Sequence, residues 1–362
     1  MLLHTLLHLC LERHASDLHL SSGAPPLIRV HGHLSPLSDV HLTHHEIHRA
    51  LIDIMPPDLQ TQFIQSFESD FAIDVPQLSR FRVNAFHQAR GVSAVFRAIP
   101  HRIPSLEEIQ APIIFSKLMH HTHGLVLVTG PTGVGKSTTL AAMLDAINQT
   151  QAKHILTIEN PIEFVHTPKQ SLIQQREVGT HTLSFANALR AALREDPDVI
   201  LVGELRDIET MRLALSAAET GHLVLGTMHT ASAAQAIDRI VDAFPADEKN
   251  IVRNMLSESL QAVVSQVLCK RKDCLGRVAA YEVMVSTSAV RHLIRESKVA
   301  QLYSAIQTGN AQGMNTLDQH LASLLQQGVI DAVQAGALAK YPEKFSSPHE
   351  GVAVQPHSQN MN

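Results

Sequence analysis

Gly130-Pro131-Thr132-Gly133-Val134-Gly135-Lys136-Ser137 decides the fold. The stretch follows an apolar run at 125–129 and opens a helical pattern at 136–148, the strand–loop–helix setting that a P-loop requires. Each residue type answers a chemical need. Glycines let backbone N–H groups wrap a β-phosphate without Cβ clashes. The helix N-terminus adds partial positive charge. Lys136 is placed to reach β- and γ-phosphate oxygens, and Ser137 to offer its hydroxyl to Mg²⁺. The expected nucleotide-binding residues are Gly130, Pro131, Thr132, Gly133, Val134, Gly135, Lys136, Ser137 and Thr138, with ATP and Mg²⁺ as ligands.

Outward from the loop, short apolar runs alternate with longer helical patterns. Strands are expected at 125–129, 155–159, 199–203, 222–228 and 278–285, and helices at 136–148, 185–195, 208–219, 233–242 and 249–268. This alternation predicts a mainly parallel sheet with crossover helices. The second chemical element is Asp198-Val199-Ile200-Leu201-Val202-Gly203-Glu204, an apolar strand ending in an acid. Such an acid lies at the carboxyl edge of the sheet, where ligands bind in open α/β folds. Glu204 is expected to hold Mg²⁺ through water or to orient the attacking water.

Residues 1–100 read differently, as a mixed α+β domain. An amphipathic first helix is followed by alternating runs, a hairpin around 31–33, a helical stretch at 44–67 broken by Pro56-Pro57, and a second hairpin pairing 81–86 with 92–99. Pro100, Pro104 and Pro112 mark 101–115 as a linker before an ATPase domain at 116–345. Residues 346–362 are polar without a period and are expected to be a disordered tail.

Composition excludes several classes. The chain has 362 residues, 44% hydrophobic, with 29 Lys and Arg against 34 Asp and Glu, a net charge of −5. That balance argues against a nucleic-acid binder acting through bulk charge. With 11 Phe, 3 Tyr and no Trp, the chain offers little for a base-stacking platform. Three Cys cannot build a disulfide framework. No stretch approaches the ~20 apolar residues of a spanning helix, so any membrane contact is expected through a partner. The 24 His include two clusters, His44/His45/His48 and His120/His121/His123, without Cys or carboxylate at metal spacing, and solvated faces are the expected reading. Cys269 and Cys274 alone make no structural zinc site.

Three further stretches stand in order: Glu159-Asn160-Pro161-Ile162-Glu163-Phe164, Leu193-Arg194-Glu195-Asp196-Pro197-Asp198 leading into Glu204, and Thr220-Gly221-His222 through Thr227-Met228-His229-Thr230. They resemble the Asp box, Walker B and His box of the secretion and type IV pilus ATPases, in particular pilus retraction motors. The likeness begins at Ala15-Ser16-Asp17-Leu18-His19-Leu20 and runs to about 345.

The resemblance implies a PAS-like N-terminal domain, a RecA-like P-loop ATPase domain and a homohexameric ring. It implies Glu163 as general base, His229 as γ-phosphate sensor, and Arg82 and Arg97, from a group with Arg80, Arg90 and Arg102, as trans-acting arginines. Arg239 is a lesser candidate for coupling subunits. It also implies cytoplasmic work at the inner membrane, on a platform protein of the pilus base, beside a paralogous retraction ATPase. Two positions depart from the pattern: Asn160 stands for the common Asp, and Ser297 for Gly in Arg295-Glu296-Ser297-Lys298. Two other readings stay open. One is an accessory ring subunit that binds nucleotide but hardly hydrolyses it, which Asn160 favours. The other is a RecA-like nucleic-acid motor, which the acidic balance disfavours.

Overall fold

A computed structural model describes residues 2–30, 32–99, 102–273 and 276–345. The expected tail at 346–362 and Cys274 lie outside the described residues. In chain order the elements are α1 (Leu2–Glu12), β1 (Asp17–Ser21), β2 (Leu27–Val30), β3 (His33–Pro36), α2 (His44–Ile52), α3 (Pro57–Ser66), β4 (Glu68–Val75), β5 (Ser79–Gln88) and β6 (Gly91–Ile99). Then come α4 (Ile114–Leu118), β7 (Gly124–Thr129), α5 (Lys136–Thr150), β8 (His154–Glu159), β9 (Leu172–Glu177), α6 (Phe185–Ala192), β10 (Val199–Val202), α7 (Ile208–Glu219), β11 (Leu223–Met228), α8 (Ala233–Asp242) and α9 (Lys249–Ser259). The chain continues through β12 (Leu260–Lys270), β13 (Arg277–Val285), α10 (Ser288–Arg295), α11 (Leu302–Thr308), α12 (Leu317–Gln326) and α13 (Ala332–Leu338). The described residues form two compact units, one from 2–104 and 148–191, the other from 105–147 and 192–345.

The first unit carries a six-stranded antiparallel sheet in the order β3-β2-β1-β6-β5-β4. Period-two alternation explains β5: Phe81, Val83 and Ala85 are buried, while Arg80, Arg82 and Asn84 share the opposite face. Leu6, Leu7 and Cys10 of α1 pack into the same core as Leu18, Phe63 and Phe96. Pro57 opens α3 at its first position, where no intrahelical N–H is needed. A reciprocal capping box of Thr43 and Glu46 starts α2. The same unit holds a parallel pair, β8 and β9, with Glu159 opposite Glu177.

In the second unit strands run β13-β12-β7-β11-β10. Neighbours are parallel except β13 against β12. β7, β10 and β11 are buried along their whole length, as strands covered on both faces must be. Side chains of Asp207 and Ser232 cap the starts of α7 and α8.

One expected helix is corrected. Residues 249–268 are not helical throughout: α9 stops at Ser259 and β12 begins at Leu260. The run Ala262-Val263-Val264-Ser265 is buried between β7 and β13, and β-branched residues on two covered faces favour a strand. The short strand β9, rich in Gln, was also not expected.

Candidate functional site

β7 ends at Thr129 and α5 starts at Lys136, so six residues must turn the chain from sheet to helix. Gly130, Gly133 and Gly135 all take positive φ. At Gly130 a Cβ would also strike the carbonyl of Gln266, so the site admits only glycine. Pro131, Thr132 and Gly133 are exposed, whereas Lys136 is 8% exposed beneath them. The Lys136 ammonium donates to the carbonyls of Gly130 at 2.8 Å and Pro131 at 3.0 Å. The loop is thus fixed from within while its tip stays open.

Gln266 of β12 supports the loop from behind. Its Nε2 donates to the carbonyl of Val134 at 2.6 Å, and its Oε1 accepts from the Thr139 hydroxyl at 2.8 Å. Sequence reasoning missed this residue because the segment read as helix.

Glu204 and His229 meet beside the loop. Each follows the carboxyl end of a neighbouring strand, β10 and β11. The Leu205 N–H donates to the Thr227 carbonyl at 3.0 Å, and the Thr227 hydroxyl donates to the Gly203 carbonyl. Those bonds hold the two turns together. His229 Nε2 lies 3.2 Å from Glu204 Oε1, and its Nδ1 lies 3.4 Å from Lys136 Nζ and 3.5 Å from the Thr132 hydroxyl. An ammonium only donates and a carboxylate only accepts, so Nδ1 faces Lys136 as an acceptor and Nε2 faces Glu204 as a donor. Lys136, His229 and Glu204 form one continuous chain of polar contacts.

Arg206, not singled out from sequence, places Nε 2.6 Å from the same Glu204 oxygen. Desolvation raises the Glu204 carboxyl, but the hydrogen bond and charge of Arg206, joined by the hydrogen bond of His229, outweigh it and hold the group below the ordinary carboxylate value. Glu204 is therefore an anion at neutral pH. A hydroxyl at Ser137 and a carboxylate at Glu204 are hard oxygen donors suited to Mg²⁺, and the glycine-lined loop suits a phosphate chain.

Glu163, Arg82 and Arg97 lie in the first unit. Glu163 follows β8, and its N–H faces Glu159 Oε2 at 3.4 Å. Desolvation pushes the Glu159 carboxyl up to about 7, against hydrogen bonds from Thr157, the Glu163 backbone and Gln175. Arg82 and Arg97 are directly opposite on β5 and β6. Arg80 turns instead to Glu177, at 2.9 Å. Among the described residues no group of three or more His, Cys, Asp or Glu is placed to hold an ion. His44 accepts from the Val92 N–H and His120 contacts the Ser116 carbonyl. His222 and His229 flank β11 and do not meet, His222 contacting the Ala217 carbonyl.

Fold and site together define a P-loop nucleotide-binding protein of mixed α/β architecture. The chain belongs to the type II/IV secretion system protein family, whose model matches residues 2–335. It is 58% identical to the "Type IV pilus retractation ATPase PilT" of Pseudomonas aeruginosa over 331 residues, 91% of this chain and 96% of that one. It is 56% identical to a "Twitching motility protein" of Neisseria gonorrhoeae over 321 residues, 89% of this chain and 86% of that one. Among solved structures, the pilus retraction motor PilT with bound ADP superposes with a TM-score of 0.85 at 46% identity, covering 92% of this chain and 96% of that one.

Proposed function

We propose that this chain is an ATP-hydrolysing motor, a homohexameric ring that powers type IV pilus retraction and hence twitching motility. The observation that carries the reading is the unbroken contact from Lys136 through His229 to Glu204 at an open phosphate loop. Relatives of near full length named for pilus retraction and twitching motility support the direction of work.

The residue roles in this reading draw on the loop geometry for Lys136, His229 and Glu204 and on the family resemblance for Glu163, Arg82 and Arg97. Loop amides and Lys136 bind the phosphates of ATP. His229 faces the loop with one nitrogen and Glu204 with the other, so contact at the γ-phosphate is felt at the carboxylate. Glu163 accepts the proton of the attacking water. Ser137 and Glu204 would hold Mg²⁺, which neutralises charge on the phosphate oxygens when bound. Arg82 and Arg97 of one subunit stabilise γ-phosphate charge in the next. In this reading 1–100 is a PAS-like domain, 101–115 a linker and 116–345 a RecA-like domain. Among the described residues no helix is long and apolar enough to cross a membrane. The motor then works from the cytoplasmic face of the inner membrane on a membrane-embedded platform protein, and a paralogous ATPase shares the task.

Phosphate release from purified protein with Mg-ATP tests this. Turnover that collapses in Glu204→Gln, with hyperpiliated cells on deletion, is the expected result. A wild type without turnover that gains it in Asn160→Asp would make the chain a nucleotide-binding accessory instead.

A further inference from the structure

Glu177 ends β9, and its carboxylate is buried within the first unit. Its Oε2 accepts two donors: Arg80 NH2 at 2.9 Å and the Ile162 N–H at 3.0 Å. Its Oε1 accepts the Thr180 hydroxyl at 3.1 Å. Its own N–H donates to His181 Nδ1 at 3.0 Å, and its carbonyl gathers the N–H groups of Thr180, His181 and Thr182. Every polar atom of the residue is committed, so it is a fixed point.

The two donors on Oε2 come from different places. Ile162 is the residue before Glu163, in the turn after β8. Arg80 lies on β5, two residues from Arg82 and on the same face of the strand. Arg80 is thereby separated from the other arginines of its group. Its side chain is 15% exposed, against 36% for Arg82 and 61% for Arg97. Its NH1 faces Asp74 Oδ2 at 3.6 Å and its Nε is buried without a hydrogen-bond partner, so Glu177 receives one bond from the guanidinium and not a two-pronged grip.

We propose that Glu177 is a positioning residue: through Arg80 and the Ile162 amide it joins the strand bearing Arg82 to the turn bearing Glu163. Movement of β5 as Arg82 engages a nucleotide is passed to the base of the same chain, over one carboxylate and two hydrogen bonds. The proposal rests on the motor reading and on the role given there to Glu163.

The test uses the full chain with Arg80→Gln, Glu177→Gln, their double variant and Arg80→Lys. The double variant leaves no uncompensated buried charge and so keeps the question open where Glu177→Gln alone fails to fold. Measured quantities are kcat and KM for Mg-ATP, affinity for a fluorescent non-hydrolysable ATP analogue, and deuterium uptake of the 159–166 segment with and without that analogue. The double variant is expected to lose at least tenfold in kcat. KM and analogue affinity should stay within about twofold, and the loss should be no greater than that of the worse single variant. Arg80→Lys should recover most of kcat. In wild type the analogue should change uptake at 159–166, and in the double variant it should not. A double variant with wild-type kcat and a wild-type uptake response overturns the relay. Glu163→Gln separates the two ideas: full turnover in that variant removes the base assignment itself, whereas its inactivity beside a normal double variant removes only the relay.

Discussion

Arg82 stands directly across from Arg97 on adjacent antiparallel strands, and an aspartate flanks each on its outer side. Asp70 Oδ2 is 3.7 Å from Arg82, and Asp17 Oδ1 is 2.8 Å from Arg97. Like charges opposed across a ladder destabilise it. Asp17, directly opposite Arg97 on β1, and Asp70, diagonal to Arg82 on β4, offset that repulsion and keep two guanidinium groups together at the surface of one sheet.

If those groups serve a neighbouring subunit, the double variant Arg82→Gln/Arg97→Gln should lose roughly 10³-fold in ATP turnover while binding nucleotide normally. Phosphate release and analogue binding check it, and unchanged turnover would sink the assignment. Asp17→Asn should lower unfolding free energy by about 1–2 kcal/mol in urea titrations. Asp17 is buried and accepts both Arg97 and the Ser16 hydroxyl, whereas Arg97 is mostly exposed and loses little.

Glu159 gives the fold a pH dependence of defined sign. Burial raises its carboxyl from the ordinary value near 4.5 to about 7, so folding favours the protonated form. That stabilisation is complete below about pH 4.5 and is lost as pH rises through 7. Above that, the folded state carries a cost of up to about 3 kcal/mol. Glu159→Gln should therefore be more stable than wild type at pH 8 and close to it at pH 5. An equal difference at both pH values, read from urea unfolding, would show that the carboxyl does not titrate in this window.

Much of this was legible in the sequence, for reasons that differ by residue. The P-loop, Glu204 and His229 are read from local motifs, because each sits at the junction of an apolar strand and a turn. The hairpin that carries Arg82 and Arg97 follows from two alternating runs around Gly91, while the register that sets the two arginines opposite each other is seen only in the structure. What stayed hidden is long-range. Arg80 and Arg82 look alike in sequence, and only Glu177, 97 residues on, sets Arg80 apart. β12 was hidden because a helical pattern runs directly into a β-branched one with no Gly or Pro between them.

Ser297 explains one departure from the family pattern. It follows α10 with φ of +57°, and its N–H reaches the Ile294 carbonyl while the Lys298 N–H reaches that of Leu293. These are the two bonds of a Schellman motif, whose left-handed residue is usually Gly. Ser holds the same geometry at a conformational cost. Ser297→Gly should raise stability by about 0.5–1 kcal/mol, the relief of left-handed strain less the added freedom of the unfolded chain. Thermal unfolding at fixed protein concentration measures it, and a destabilised variant would mean the serine side chain does more than fill the turn.

Gln266 is the residue on which the phosphate loop rests, and its substitution should separate binding from folding. Gln266→Leu keeps the volume and β12 pairing but removes a donor to the Val134 carbonyl and an acceptor for Thr139. The loop's tip is already exposed, so losing its anchor from behind leaves the amides less fixed before phosphate arrives. Nucleotide affinity should fall about tenfold, near 1.4 kcal/mol. The Thr139 hydroxyl, which loses Gln266 and keeps only the Tyr281 side chain as a partner, should add about 1 kcal/mol of destabilisation. Pairing the change with Thr139→Val should restore most of the stability and none of the affinity. Recovery of both together would show that Gln266 acts only through packing against α5, and not through the loop carbonyl it holds.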